Sequence, residues 1–423
     1  MSDAARRAIL VTFGSHGDVH PFLGLGVALK RRGWDVTLAT NGHFDALVEN
    51  HGLAARPIGR ESDFLEFVNN PDAWHASRGA RLVFGAMARW ARETFEALGD
   101  LDAQDAIVIG STLSIGARVF HEARGGRFAT MHLSPTAMRS VHEPPRLPGV
   151  PPLHRLPVWA KSKVFPHFYN GADRYVLDPM LADVNAFRAE LGLGEPIVGL
   201  MGDYLHSPQL TLGMWPSWYA PPQPDWPESV KCCGFPLYDE RETAGLSDDL
   251  STWLDAGESP VAFTPGSAMI FGRRFFTAAA GACERLGVRG LLLSRHAEHI
   301  PANLPPGVRH EAFAPFGELL PRCRAIVHHG GVGTLSQALA AGVPQVIMPM
   351  AHDQPDNAER LAKLGVATSL SPRRFTARRL AKRLEVALSN AFGARAKALA
   401  TRIERRAGVD YACDAIEQLG KAT

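Results

Sequence analysis

Two short segments carry residue types that can hold a charged, sugar-like ligand. The first is His328-His329-Gly330-Gly331-Val332-Gly333-Thr334, which follows the apolar run Ala325 to His328 and opens a helical pattern. Glycines let backbone N–H groups converge on an anion, and a helix N-terminus adds partial positive charge there. His329 and Thr334 add side-chain donors. The second segment, Pro349-Met350-Ala351-His352-Asp353-Gln354, follows the apolar run Gln345 to Met348 and again precedes a helix. Asp353 accepts hydrogen bonds and Gln354 both accepts and donates, as sugar hydroxyls require. Asp353 alone also fits a helix cap. A third segment, Phe13 to Pro21, holds His16, Asp18 and His20.

Strands must precede these loops and helices must follow them. In the first half, Ala8–Phe13, Val36–Thr40, Ala106–Gly110 and Phe128–His132 read as short buried strands. The glycine-containing stretch 14–20 reads as a loop, with Pro21 in the first turn of a helix. The second half repeats the pattern with strands at Val261–Thr264, Gly290–Ser294, Ala325–His328 and Gln345–Met348, and helices that include Arg273–Leu286 and Gly333–Ala341. The alternation predicts an α/β protein with two Rossmann-like, doubly wound parallel-sheet domains facing a central cleft. A chain of 423 residues suits two domains. The expected division is 1–215, a proline-rich interdomain linker at 216–235, 236–405, and a C-terminal helix at 406–423 that packs back on the first domain.

Composition removes several classes. Lys and Arg total 45 against 43 Asp and Glu, so no basic footprint for nucleic acid exists. Five cysteines, an odd count without C-x-x-C spacing, argue against zinc and a disulfide framework. The first apolar run is too short for a secretory signal or a membrane span. The expectation is a cytoplasmic protein, with peripheral contact at the inner membrane face left open. His16 and His20 stand four apart, but Pro21 argues against a continuous helix through them, and no metal is expected. Asp100-Leu-Asp102 lies outside any strand-to-helix loop and reads as an exposed turn.

Together, His329-x-Gly331…Thr334 and Asp353-Gln354 resemble the donor-site signature of the family 1, two-Rossmann-domain (GT-B) glycosyltransferases. The resemblance spans essentially the whole chain. It implies that the second domain binds a nucleotide sugar and the first an acceptor. His329, Gly331, Val332, Gly333 and Thr334 would hold the pyrophosphate, and Asp353 and Gln354 the sugar. Thr264-Pro265-Gly266-Ser267 is similar to the family's other phosphate loop, which brings in Ser267. Phe313 sits where the family stacks an aromatic ring on the nucleobase. Many plant members carry a glutamate at the position of Gln337 that bonds the ribose hydroxyls. A glutamine weakens selection for the 2′-hydroxyl and points to a deoxythymidine donor over a uridine one. Phe316 replaces a common glutamine near the base. The donor, dTDP- or UDP-linked, is a co-substrate, and no cofactor is implied.

The loop Gly14-Ser15-His16-Gly17-Asp18-Val19-His20-Pro21 resembles the G-S-x-G-D-V-x-P loop of the antibiotic, sterol and rhamnolipid branches, whose general base stands at the position of Asp18. An acceptor alcohol must lose its proton as it attacks the sugar, and such a base contributes roughly 10²–10⁴-fold. Asp18 is favoured, with His16 as the competing base. A helix N-terminus with His329 would take the leaving group's charge without metal, and one displacement would invert the anomeric centre. Candidate acceptor walls are residues 64–74, 83–90 and 141–168, the last holding Trp159, Phe165 and Phe168. The stretch from His206 to Leu237 resembles the rhamnosyltransferases of rhamnolipid biosynthesis. That implies L-rhamnose carried from dTDP-rhamnose to a hydroxyl of a small apolar or lipid acceptor. UDP-glucose with a phenolic, polyketide or sterol acceptor is the second reading. A non-catalytic sugar-nucleotide-binding partner and a sugar-nucleotide epimerase are readings of other classes.

Overall fold

The computed structural model describes residues 6–75, 78–238, 245–266 and 272–421. The chain divides into two compact units, Met1–Pro236 with Arg406–Thr423, and Leu237–Arg405. The first contains seven strands, β1 (Arg7–Val11), β2 (Asp35–Thr40), β3 (Ala54–Pro57), β4 (Ala106–Ser111), β5 (Arg127–His132), β6 (Leu210–Gly213) and β7 (Val230–Cys232). All pair in parallel in the order β3-β2-β1-β4-β5-β6-β7. The second contains β8 (Val261–Thr264), β9 (Gly290–Leu293), β10 (Val308–Glu311), β11 (Ala325–His328), β12 (Gln345–Ile347) and β13 (Ala367–Ser369), also parallel, in the order β10-β9-β8-β11-β12-β13.

The central strands explain the sequence pattern. Leu10, Val11, Phe263 and Val327 are fully buried, as strands covered by helices on both faces require. In each sheet the strand order reverses once, between β1 and β4 and between β8 and β11. The loops that leave the carboxyl ends of such a pair run in opposite directions and open a crevice where ligands bind.

Helix α1 (His16–Arg31) starts earlier than Pro21 suggests. Ser15 caps it, accepting from the Gly17 N–H at 3.2 Å, so the first turn forms five residues before the proline. Pro21 therefore lies inside the helix. The N–H it lacks would have bonded the carbonyl of Gly17, an exposed residue whose oxygen water can reach. His16 and His20 consequently share a face, and their rings meet edge to face at 5.4 Å.

Residues 216–235, expected as a linker, are instead built into the first unit. They supply β7, and their aromatic residues pack there. Trp215 and Trp226 lie 6.2 Å apart and Tyr219 and Phe235 5.2 Å apart. After the second unit the chain returns as a helix, Ala407–Lys421, that packs on α1. Arg32 bonds Asp414 at 2.5 Å. Gly408 is required where this helix meets the β7 segment, because a Cβ there would lie 2.5 Å from the Phe235 carbonyl oxygen.

Trp215 is fully buried, whereas Trp159 is 69% exposed. Trp215→Ala is expected to lower unfolding free energy in urea by about 3–5 kcal/mol. Trp159→Ala should change it by under about 0.5 kcal/mol. Equal midpoints for the two variants would contradict this packing.

Candidate active site

In the second unit, the helix α6 (Val332–Ala340; α2–α5 being Gly79–Leu98, Ile115–Arg124, Val158–Ala172 and Arg273–Leu286) begins directly after the loop that leaves β11. Its N-cap is Gly331, and no side chain caps it. First-turn N–H groups of such a helix look for an anion or water. A Cβ on Gly333 would meet nothing within 4 Å, so the space beside the first turn is open.

His329 and His328 have different jobs. His328 is fully buried and spends both ring nitrogens internally. Its Nδ1 accepts from the Gly330 N–H at 3.1 Å, so Nε2 carries the proton and donates to Gln345 Oε1 at 2.9 Å. The His329 ring lies against two glycines. A Cβ on Gly331 would sit 2.4 Å from Nε2, and one on Gly266 2.8 Å from Cε1. Its buried Nδ1 has no hydrogen-bond partner among the described residues. Burial first, then the neighbouring His328 and His352, push its pKa down to about 3. It is therefore neutral at pH 7, with one N–H to donate. Ser267 lies outside the described residues. Gly266 beside it adopts φ +102°, which only glycine takes readily.

The next loop is tied to the first. Asn357, fully buried, donates through Nδ2 to the Gly330 carbonyl at 2.9 Å and to Asp353 Oδ2 at 2.7 Å. Gln354 Oε1 accepts from the Met350 and Ala351 N–H groups at 2.8 and 3.2 Å. Its carbonyl oxygen thus holds the loop, and its amide N–H groups are what it offers a ligand. Asp353 is the N-cap of α7 (Gln354–Lys363). His352, given no role from sequence, is the single non-glycine residue with positive φ among the described residues, at 55°. Such strain clusters at ligand sites. Phe313 presents a ring 41% exposed, with the Arg295 guanidinium 5.5 Å from its centroid. Gln337 is buried. Its Nε2 donates weakly to the Tyr238 carbonyl at 3.4 Å, and Oε1 has no partner among the described residues.

In the first unit, Asp18 closes the capping box of α1. Its Oδ2 accepts from the Ser15 N–H at 2.8 Å and the Ser15 hydroxyl at 3.1 Å. Burial outweighs both bonds and raises its pKa to about 6. Gly14, at φ +122°, lets the carboxylate lie against the loop, because a Cβ there would be 2.3 Å from Oδ2. Gly14 also lines a small, partly open pocket whose other walls include Phe13, Phe64, Phe67, Met87 and Trp90. Asn41 lines it too, but its Oδ1 accepts from the His43 N–H at 3.0 Å and its Nδ2 donates to the Arg60 carbonyl at 2.9 Å. The pocket is apolar in effect. His16 packs edge to face on Phe44 at 5.1 Å.

Two of the three expected acceptor walls supply this pocket. Trp159, Phe165 and Phe168, on α4, do not line it. Phe165 is buried against Phe168 and Tyr169, at 5.8 and 5.4 Å, because the buried stripe of α4 covers its own neighbours. Sequence reasoning does not reach Ser15, Asn41, His352 or the bracing role of Asn357. The S-x-x-D spacing of a capping box is the available signal for Ser15.

Two doubly wound parallel sheets in one chain, one with a glycine-rich loop and an uncapped helix N-terminus at its switch point and the other with a buried carboxylate after its first strand, have the architecture of the GT-B class. Comparison with known proteins agrees. Residues 8–143 match the model described as the glycosyltransferase family 28 N-terminal domain, and residues 291–407 that of the erythromycin biosynthesis protein CIII-like C-terminal domain. O-mycaminosyltylonolide 6-deoxyallosyltransferase of Streptomyces fradiae is 30% identical over 428 residues, 97% of each chain. The solved glycotransferase of kitacinnamycin superposes with a TM-score of 0.75 at 22% identity, covering 98% of this chain and 99% of that one. Glycosyltransferase VinC in complex with dTDP gives 0.66 at 20% identity, covering 98% and 100%. These two likenesses speak to the fold. The chain belongs to the family 1 glycosyltransferases of GT-B fold and is a glycosyltransferase.

If Asp18 is the proton acceptor, kcat/KM should fall as pH drops through about 6, because protonation removes the base. Ser15→Ala deletes a bond that favours the carboxylate, so its acid limb should move to higher pH. A limb left unmoved by Ser15→Ala would disconnect Asp18 from the pH dependence. His329→Ala should weaken binding of the free nucleoside diphosphate in calorimetry. Unchanged affinity would exclude the phosphate role.

Proposed function

We propose that this glycosyltransferase moves a sugar from a nucleoside diphosphate to one hydroxyl of a small apolar acceptor, with inversion and without metal. The observation that carries the reading is the position of Gly14. This residue lines the apolar pocket and also lies against the Asp18 carboxylate. An acceptor whose apolar part rests against that pocket presents its hydroxyl near a carboxylate that burial has made a stronger base.

In the reaction, Asp18 takes the hydroxyl proton as the acceptor oxygen bonds to C1 of the sugar. The bond from C1 to the diphosphate oxygen breaks, and its electron pair leaves with the nucleoside diphosphate. The N-terminus of α6 and the His329 N–H receive the charge that develops there. Asp353 and the Gln354 amide group orient the sugar. One displacement inverts C1. Loss of the base in Asp18→Asn should cost roughly 10²–10⁴-fold in turnover while nucleotide binding stays near wild type.

The specific form of the proposal is L-rhamnose from dTDP-rhamnose to a lipid or other apolar hydroxyl. Gln337 supports the thymidine donor, since its side chain is neutral and one atom is already engaged. UDP-glucose with a phenolic, polyketide or sterol acceptor is the competing specificity.

Thermal-shift screening separates them. A ligand held at 100 times its Kd adds about 2.7 kcal/mol to native-state stability, so dTDP and dTDP-rhamnose should raise Tm above UDP and UDP-glucose. The reverse ranking would overturn the thymidine assignment. Among the described residues, the group spaced to hold a metal ion is His296, Glu298 and His299, on the turn after β9. Turnover should nevertheless survive EDTA, and a loss restored by a divalent cation would contradict the metal-free mechanism.

A further inference from the structure

We propose that the segment from Pro144 through α4 to Tyr175 is a docking face for an anionic lipid surface. The chain as a whole is close to neutral, yet from Pro144 to Ala172 it has no Asp or Glu and four basic residues, Arg146, Arg155, Lys161 and Lys163. Large apolar side chains point outward from the same segment. Trp159 is 69% exposed, Val158 56%, Val164 36% and Tyr175 71%.

The helix is held firmly with those side chains outside. Phe165 and Tyr169 are buried on its inner face, and the Tyr169 hydroxyl donates to the Ser140 carbonyl at 3.1 Å. Just past its C-terminus Asp173 takes two parallel bonds from Arg139, both 2.6 Å. Trp159 and Lys163 are one turn apart on the outer face, with the ammonium 6.0 Å from the ring centroid.

The composition distinguishes a lipid partner from a protein one. Cores of protein interfaces are depleted in lysine. An exposed tryptophan with a lysine beside it, on a stretch of chain from Pro144 to Ala172 that holds basic residues and no Asp or Glu, is the pattern of side chains that sit at the headgroup level of a negatively charged membrane. No helix among the described residues is long and apolar enough to cross a membrane, so contact through this face would be peripheral. The inference is independent of which sugar or acceptor the enzyme uses.

The full-length protein should co-sediment with vesicles of phosphatidylcholine mixed with phosphatidylglycerol, not with phosphatidylcholine alone, and should be released by high salt. Arg155→Glu and Lys163→Glu should each weaken partition roughly tenfold or more, with unchanged Tm showing intact folding. Brominated lipid should quench tryptophan fluorescence in the wild type and much less in Trp159→Phe. Equal partition to both vesicle types, no sedimentation of the wild type, or wild-type partition by both charge variants would overturn the proposal. So would a concentration-dependent dimer in light scattering that Trp159→Ala abolishes, since a second copy would then cover the face.

Discussion

The His329 imidazole fills the space that side chains would need at both Gly266 and Gly331, and this wedge sets the two loops that leave β8 and β11. Backbone on either side is drawn close to the ring, and a buried ring nitrogen is left without a bonding partner among the described residues. A buried polar atom in that condition is costly unless a ligand or water completes it. Because Asn357 ties the Gly330 carbonyl to Asp353, the loop after β12 is held in register with the wedge. The loops that follow β11 and β12 are thus one braced object.

Asp18 stands under opposing demands. As a capping residue it should be well solvated and firmly bonded, and its bonds from Ser15 favour the ionised form. As a base it needs a pKa nearer neutrality. Burial wins, leaving a carboxylate that is still ionised at pH 7 but a better proton acceptor than one in water. The side chain that fixes the start of the first helix is therefore the one proposed as the base.

How much of this is legible in the sequence follows from which forces are local. β8 and β11 can be read to the residue, since each is a continuous buried apolar run. Strands β3, β10 and β13 cannot. They are three or four residues long, β3 and β10 contain no fully buried position, and their existence depends on pairing with a neighbour. Pro21 masks the true start of α1, because a proline speaks more loudly in a sequence than the Ser15 cap. Residues 216–235 read as a linker from their prolines, whereas the packing of Tyr219 on Phe235 and of Trp226 on Trp215 is a tertiary fact. The same holds for the acceptor walls. Aromatic content draws attention to Trp159, Phe165 and Phe168, and composition cannot tell a pocket lining from a helix that covers its own neighbours. The loops bearing His329 and Asp353 are legible because each runs from a buried strand straight into a helix.

The first unit is discontinuous in sequence, with residues 237–405 inserted between its main body and its last helix. Arg32 waits for Asp414, 382 positions further along. During synthesis the inserted unit emerges whole and can fold as an independent body, while its host still lacks the helix that covers α1. The inserted half is thus built before the half that surrounds it in sequence can close, so premature termination after residue 405 would release a chain with one finished domain and one open flank.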